Sequence, residues 1–123
     1  MTRILVAEDE KDIRDLVMFT LKFSGFEVTT VANGAEALEA AAKEIPDLIL
    51  MDGRMPHMTG YEACRRLKAD PLLRDIPVVF LSAKGQEAEI NEGIQSGALE
   101  YLLKPFAPDE LIRKIKEILE QTN

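Results

Sequence analysis

At 123 residues the chain has the length of one domain, and 46% hydrophobic against 30% charged residues describes a globular protein and excludes a disordered one. Twenty-two acids against 15 bases give a net charge of −7, which argues against the basic face of a nucleic-acid binder. The lone cysteine, Cys64, excludes an internal disulfide, and no apolar run approaches the roughly 20 residues of a membrane span. Arg3 followed by a short apolar run does not read as a signal peptide, so a soluble, cytoplasmic protein without a membrane partner is expected.

Taken in order, Arg3–Ala7 is a nearly continuous apolar run, the mark of a strand covered on both faces of a parallel sheet. After the acids Glu8-Asp9-Glu10 the period changes. Ile13, Leu16, Val17 and Thr20 recur at helical spacing, with Gly25 as the stop. Phe26–Val31 reads as the next strand. Asn33-Gly34 opens a helix expected to bury Ala37, Leu38, Ala41 and Ile45. Leu48–Met51 is a third apolar strand, and a loop with Gly53, Pro56 and Gly60 leads to a helix over Tyr61–Ala69, whose spacing places Cys64 in the core. Pro77–Leu81 is the fourth strand. A helix near Glu87–Ser96 stops at Gly97, Glu100–Leu103 is the short fifth strand, and Pro108 with two acids starts the last helix.

Strands alternating with helices of this length imply right-handed crossovers and an α/β fold whose parallel sheet is covered on both faces. The pattern fits one domain over residues 1–123, a doubly wound, flavodoxin-like sheet of five strands in the order 2-1-3-4-5 with five helices. Ligands of such sheets bind beyond the carboxyl ends of the strands. Those ends carry Glu8-Asp9-Glu10 after strand one, Asp52 after strand three, Ser82 after strand four and Lys104-Pro105 after strand five. Strands about 4.8 Å apart make Asp9 and Asp52 near neighbours. Carboxylates sharing a crevice need either raised pKa values or a cation, and few carboxylates with room for water and phosphate oxygens suit Mg2+ better than Ca2+. Taken singly, the acids could cap a helix, Asp52 and Ser82 could be turn residues, and Lys104 could lie on the surface; their coincidence at one end of the sheet favours a site. His57, the only histidine, lacks companion ligands and reads as a surface residue.

These segments resemble the response regulator receiver family along essentially the whole chain. Ile4–Glu10 is similar to its first strand and acid pair, and Leu48–Asp52 with Met55-Pro56 and Gly60 to its phosphoacceptor segment. Leu81-Ser82-Ala83 and Tyr101–Phe106 resemble its hydroxyl and lysine segments. The resemblance implies a two-component phosphoacceptor that takes a phosphoryl group from a histidine kinase or phosphotransfer protein onto Asp52 and signals to an output domain or downstream protein. It further implies Mg2+ held by Asp9, Asp52 and the main-chain carbonyl of Arg54 with help from Glu8, phosphoryl oxygens bound by Ser82 and Lys104, and Tyr101 as the switch aromatic. A cis Lys104–Pro105 bond belongs to the same expectation. Such a protein catalyses only its own phosphorylation and dephosphorylation.

Rival readings fit the residues less well. An aspartyl phosphatase would place a second aspartate where Arg54 stands, a flavin's phosphate would be repelled by Glu8-Asp9-Glu10, and no G-x-x-x-x-G-K-[ST] run exists. Arg54 and Lys84 are expected to flank the phosphoryl group and bear on its lifetime. Leu99-Glu100 stands where many DNA-binding regulators carry two aspartates, which points away from that subgroup.

Overall fold

The computed structural model describes residues 1–83 and 87–122, and of Ser82, Ala83, Glu87, Glu89 and Thr122 the backbone only. The strands are β1 (Arg3–Ala7), β2 (Glu27–Val31), β3 (Leu48–Asp52), β4 (Val78–Ala83) and β5 (Glu100–Lys104). The helices are α1 (Lys11–Phe23), α2 (Gly34–Lys43), α3 (Gly60–Ala69), α4 (Glu87–Gln95) and α5 (Pro108–Thr122). The five strands form one sheet in the order β2-β1-β3-β4-β5, every described pairing parallel, as the alternation of periods predicts.

Alternate residues of the central strands feed opposite faces. Leu5, Ala7, Ile49, Met51, Val78 and Phe80 pack under Ala37 and Ala41 of α2 and Cys64 and Leu67 of α3. Ile4, Val6, Leu48, Leu50, Val79 and Leu81 pack under Val17 and Leu21 of α1 and Leu111 and Ile115 of α5. The side chains just named are all buried, and Cys64 is fully buried as its helical spacing requires. Burying a side chain such as Leu50 or Ile115 stabilises the fold by about 1.5–3 kcal/mol against leaving it in water.

Local chemistry sets the helix ends. Asn33 and Thr59 cap α2 and α3, accepting from the N–H groups of Glu36 at 2.9 Å and Glu62 at 3.2 Å. Gly25 (φ 94°) ends α1: its N–H bonds Lys22 O at 3.0 Å and that of Phe26 bonds Leu21 O at 3.1 Å, closing the last turn.

Two expectations are corrected. Leu16 does not join the buried face of α1; it is 50% exposed, because the face runs Ile13, Val17, Leu21. Ile45 is not on α2 and is 51% exposed. The helix stops at Lys43, since Pro46 disfavours helical geometry at the residue before it.

Candidate functional site

β3 is the middle strand, and Asp52 is its last residue, in register with Leu81 of β4. Glu8 directly follows β1, and Lys104 closes β5 opposite Ala83. The strands therefore run one or two residues beyond the expected ends, so Asp52, Ser82 and Lys104 belong to the sheet itself. Rigid elements aim these backbones, which suits a site that must hold a fixed geometry.

Three carboxylates converge there: Glu8, Asp9 and Asp52 each offer an oxygen within 4.8 Å of the others. Glu8 has no exposed surface. Its Oε1 accepts from Lys104 Nζ at 2.7 Å and its Oε2 from the Glu10 N–H at 3.2 Å, while its carbonyl accepts from Arg14 Nη1 at 2.9 Å. Lys104 Nζ lies 3.6 Å from Asp52 Oδ2, and the Arg54 N–H donates to Asp52 Oδ1 at 3.2 Å. The ammonium thus bridges two carboxylates and sits nearer Glu8 than Asp52.

The electrostatics follow from crowding. Burial pushes the Asp52 carboxyl up to about 7, the Glu8 charge pushes the same way, and Lys104 opposes both without prevailing. Burial works against the charged form of Lys104, but its bond to Glu8 and the pull of Asp52 and Glu8 hold its pKa above the usual value. One ammonium among three carboxylates leaves negative charge uncompensated. That donor set, all oxygen and partly solvated, fits a hard divalent cation.

Gly60 makes the site compact. A Cβ there would lie 2.1 Å from the Asp52 carbonyl oxygen, so only glycine lets the start of α3 lie against the end of β3. The Gly60 N–H bonds Gly53 O at 3.0 Å and ties the intervening loop shut.

Of the other expected site residues, Tyr101 pairs with Phe80 across the sheet and packs, partly buried, on the α2–α3 face. The Ser82 backbone lies in β4 one residue beyond Leu81, the partner of Asp52; its hydroxyl and all of Lys84 lie outside the described residues. The Lys104–Pro105 bond is cis. His57 is an exposed loop residue at φ 68°. Sequence reasoning missed Arg14. Lys11, Asp12 and Ile13 separate it from the acids Glu8-Asp9-Glu10, and its bond to a main-chain carbonyl leaves no residue pattern to read.

Comparison with known proteins agrees with this geometry. The family model described as the response regulator receiver domain matches residues 4–116. The phosphate regulon transcriptional regulatory protein PhoB of Pseudomonas aeruginosa is 40% identical over 119 residues, 97% of this chain and 52% of its own length. The DNA-binding dual master transcriptional regulator RpaA of Synechocystis is 37% identical over 123 residues, 100% of this chain and 51% of its own. The chain thus spans about half the length of these curated relatives, both transcriptional regulators by name. Among solved structures, the chemotaxis response regulator CheY4 of Vibrio cholerae superposes with a TM-score of 0.90 at 34% identity, covering 96% of this chain and 98% of that one. The receiver domain of sensor histidine kinase PA1611 of Pseudomonas aeruginosa, with a magnesium ion coordinated in its active site cleft, superposes with a TM-score of 0.91 at 33% identity, covering 97% and 98%.

Proposed function

The chain belongs to the response regulator receiver domain family of two-component signalling, and on that premise we propose that Asp52 is its phosphoacceptor, served by Mg2+ at Glu8, Asp9, Asp52 and the main-chain carbonyl of Arg54. The observation that most supports this reading is the convergence of Glu8, Asp9 and Asp52 within 4.8 Å beside Lys104 at the end of the middle strand. The residues fit the ion, because the carboxylates outnumber the cation that offsets them.

Phosphoryl transfer asks for positioning and charge neutralisation more than for covalent machinery. When bound, Mg2+ supplies charge neutralisation to the acids and the incoming phosphoryl oxygens. A carboxylate oxygen of Asp52 attacks phosphorus; the new O–P bond forms as the donor's bond to phosphorus breaks, and the donor leaves with that electron pair. Lys104, already 3.6 Å from Asp52, turns its ammonium to a phosphoryl oxygen, and the Ser82 hydroxyl donates to another. The added dianion draws Ser82 inward and biases a two-state arrangement of loop and helix, with Tyr101 as the aromatic whose rotation reports it.

The donor in this reading is a phosphorylated histidine of a kinase or phosphotransfer protein. Leu16 of α1 is exposed, and a groove of about 350 Å³ lined by Ile13, Leu16, Lys104, Pro105 and Phe106 opens beside the site and offers a protein partner apolar surface there. The signal passes to an output domain or a downstream protein, and the domain touches neither nucleic acid nor membrane itself. No helix among the described residues is long and apolar enough to cross a membrane, and a cytoplasmic receiver unit over residues 1–123 is the reading we adopt. Its only catalysis is its own phosphorylation and dephosphorylation.

The test is residue-level trapping. After incubation with phosphoramidate and Mg2+, borohydride reduces an aspartyl phosphate to homoserine, which peptide mass spectrometry locates. Homoserine at position 52 is expected; homoserine at another aspartate, or none at any, contradicts the assignment.

A further inference from the structure

We propose that Arg14 is a positioning residue of the metal site, acting on it through the main chain of Glu8. The inference rests on the metal reading above and concerns a residue that touches none of the reacting atoms.

The Arg14 guanidinium reaches back over the turn that carries Glu8, Asp9 and Glu10, its Nη1 donating to Glu8 O at 2.9 Å. The main-chain N–H of Arg14 makes the first bond of the helix ladder, to Glu10 O at 2.9 Å, and so fixes the other end of that turn whatever the side chain. The remaining polar groups of Glu8 are also held: its N–H bonds Val31 O at 3.1 Å, Oε1 takes Lys104, and Oε2 takes the Glu10 N–H. A residue with no exposed surface cannot turn to water for a lost partner. Without Arg14, the Glu8 carbonyl must move to find a donor, and Asp9, the next residue, moves with it relative to Asp52.

Placement against the helix field strengthens the case. A cation so near the start of α1 faces the positive end of the dipole, which disfavours it. A charge-assisted bond to a buried carbonyl offsets that cost. Arginine also fits the task better than lysine, since its rigid fork directs several donors while an ammonium on a flexible stem fixes no angle.

The test titrates the parent, Arg14→Met and Arg14→Lys with Mg2+ alone by calorimetry, and measures each melting temperature in chelator. Arg14→Met should weaken Mg2+ affinity by about 10- to 100-fold, the range for partners one bond removed from a metal. Its metal-free melting temperature should fall by a few degrees, because the buried Glu8 carbonyl loses its donor, so every titration is run well below that temperature. Arg14→Lys keeps the charge and the apolar stem, so it tests geometry alone and carries the test if the methionine variant does not fold. Affinity below the parent's supports positioning; affinity equal to the parent's in either variant overturns it. An affinity deficit that appears only close to a variant's own metal-free melting temperature, and vanishes where the variant is fully folded, also overturns it, leaving Arg14 a stability residue. Failure of the parent itself to bind Mg2+ defeats the metal reading and this inference with it, an outcome distinct from failure of the variants alone.

Discussion

Glu8 is a carboxylate with no exposed surface whose oxygen lies 2.7 Å from Lys104. Removing one partner of a buried pair is far costlier than never having built it. Lys104→Met should therefore destabilise the metal-free protein by about 3–5 kcal/mol in urea unfolding. Adding Glu8→Gln to that variant should recover much of the loss, because the stranded charge is gone. Asp52 behaves in the opposite sense. Its folded pKa of about 7 stands above the ordinary 3.8, so between those values the folded state holds a proton that the unfolded state has released. Stability contributed by that proton is present at low pH and is lost as pH rises from about 4 through about 7. Asp52→Asn removes the dependence. In chelator its melting temperature should exceed the parent's most at pH 8, with the gap closing toward pH 4; a gap independent of pH would show that burial and the Glu8 charge do not raise the Asp52 pKa.

At the scale of elements, the central strands were legible because a strand covered on both faces must be apolar throughout, and Leu48–Leu50 or Val78–Leu81 can be little else. The helices were harder. α1 has apolar residues at Ile13, Leu16, Val17, Phe19 and Leu21, and two faces satisfy helical spacing; the one that lands on the sheet runs through Val17 and Leu21. Leu16→Gln should consequently change stability by no more than about 0.5 kcal/mol, whereas Leu21→Ala should cost about 2–5 kcal/mol. Equal losses in chemical denaturation would contradict the placement of that face. The site divides along the same line. Glu8, Asp9, Asp52 and Lys104 could be found because each stands where an apolar strand ends and the topology brings those ends together. Arg14 could not, because its bond goes to a main-chain carbonyl and no residue pattern encodes it. Nor could the nearness of Lys104 to Glu8, which depends on how a long side chain lies across two strands.

For the molecule as a whole, a cation that binds the folded site and not the unfolded chain must stabilise the fold. At a hundredfold excess over the dissociation constant the gain is about 2.7 kcal/mol. Mg2+ should raise the parent's melting temperature accordingly and raise that of Asp9→Asn less, while the metal-free form of that variant melts higher than the metal-free parent. On the proposed assignment, phosphorylation adds further charge to the same crevice and depends on the same cation. The most direct measurement is the intact mass of the parent and of Asp52→Asn after incubation with phosphoramidate, with Mg2+ or with chelator. One added phosphoryl group on the parent with Mg2+, and none with chelator or on the asparagine variant, is the expected result; equal labelling of parent and Asp52→Asn would contradict Asp52 as the acceptor.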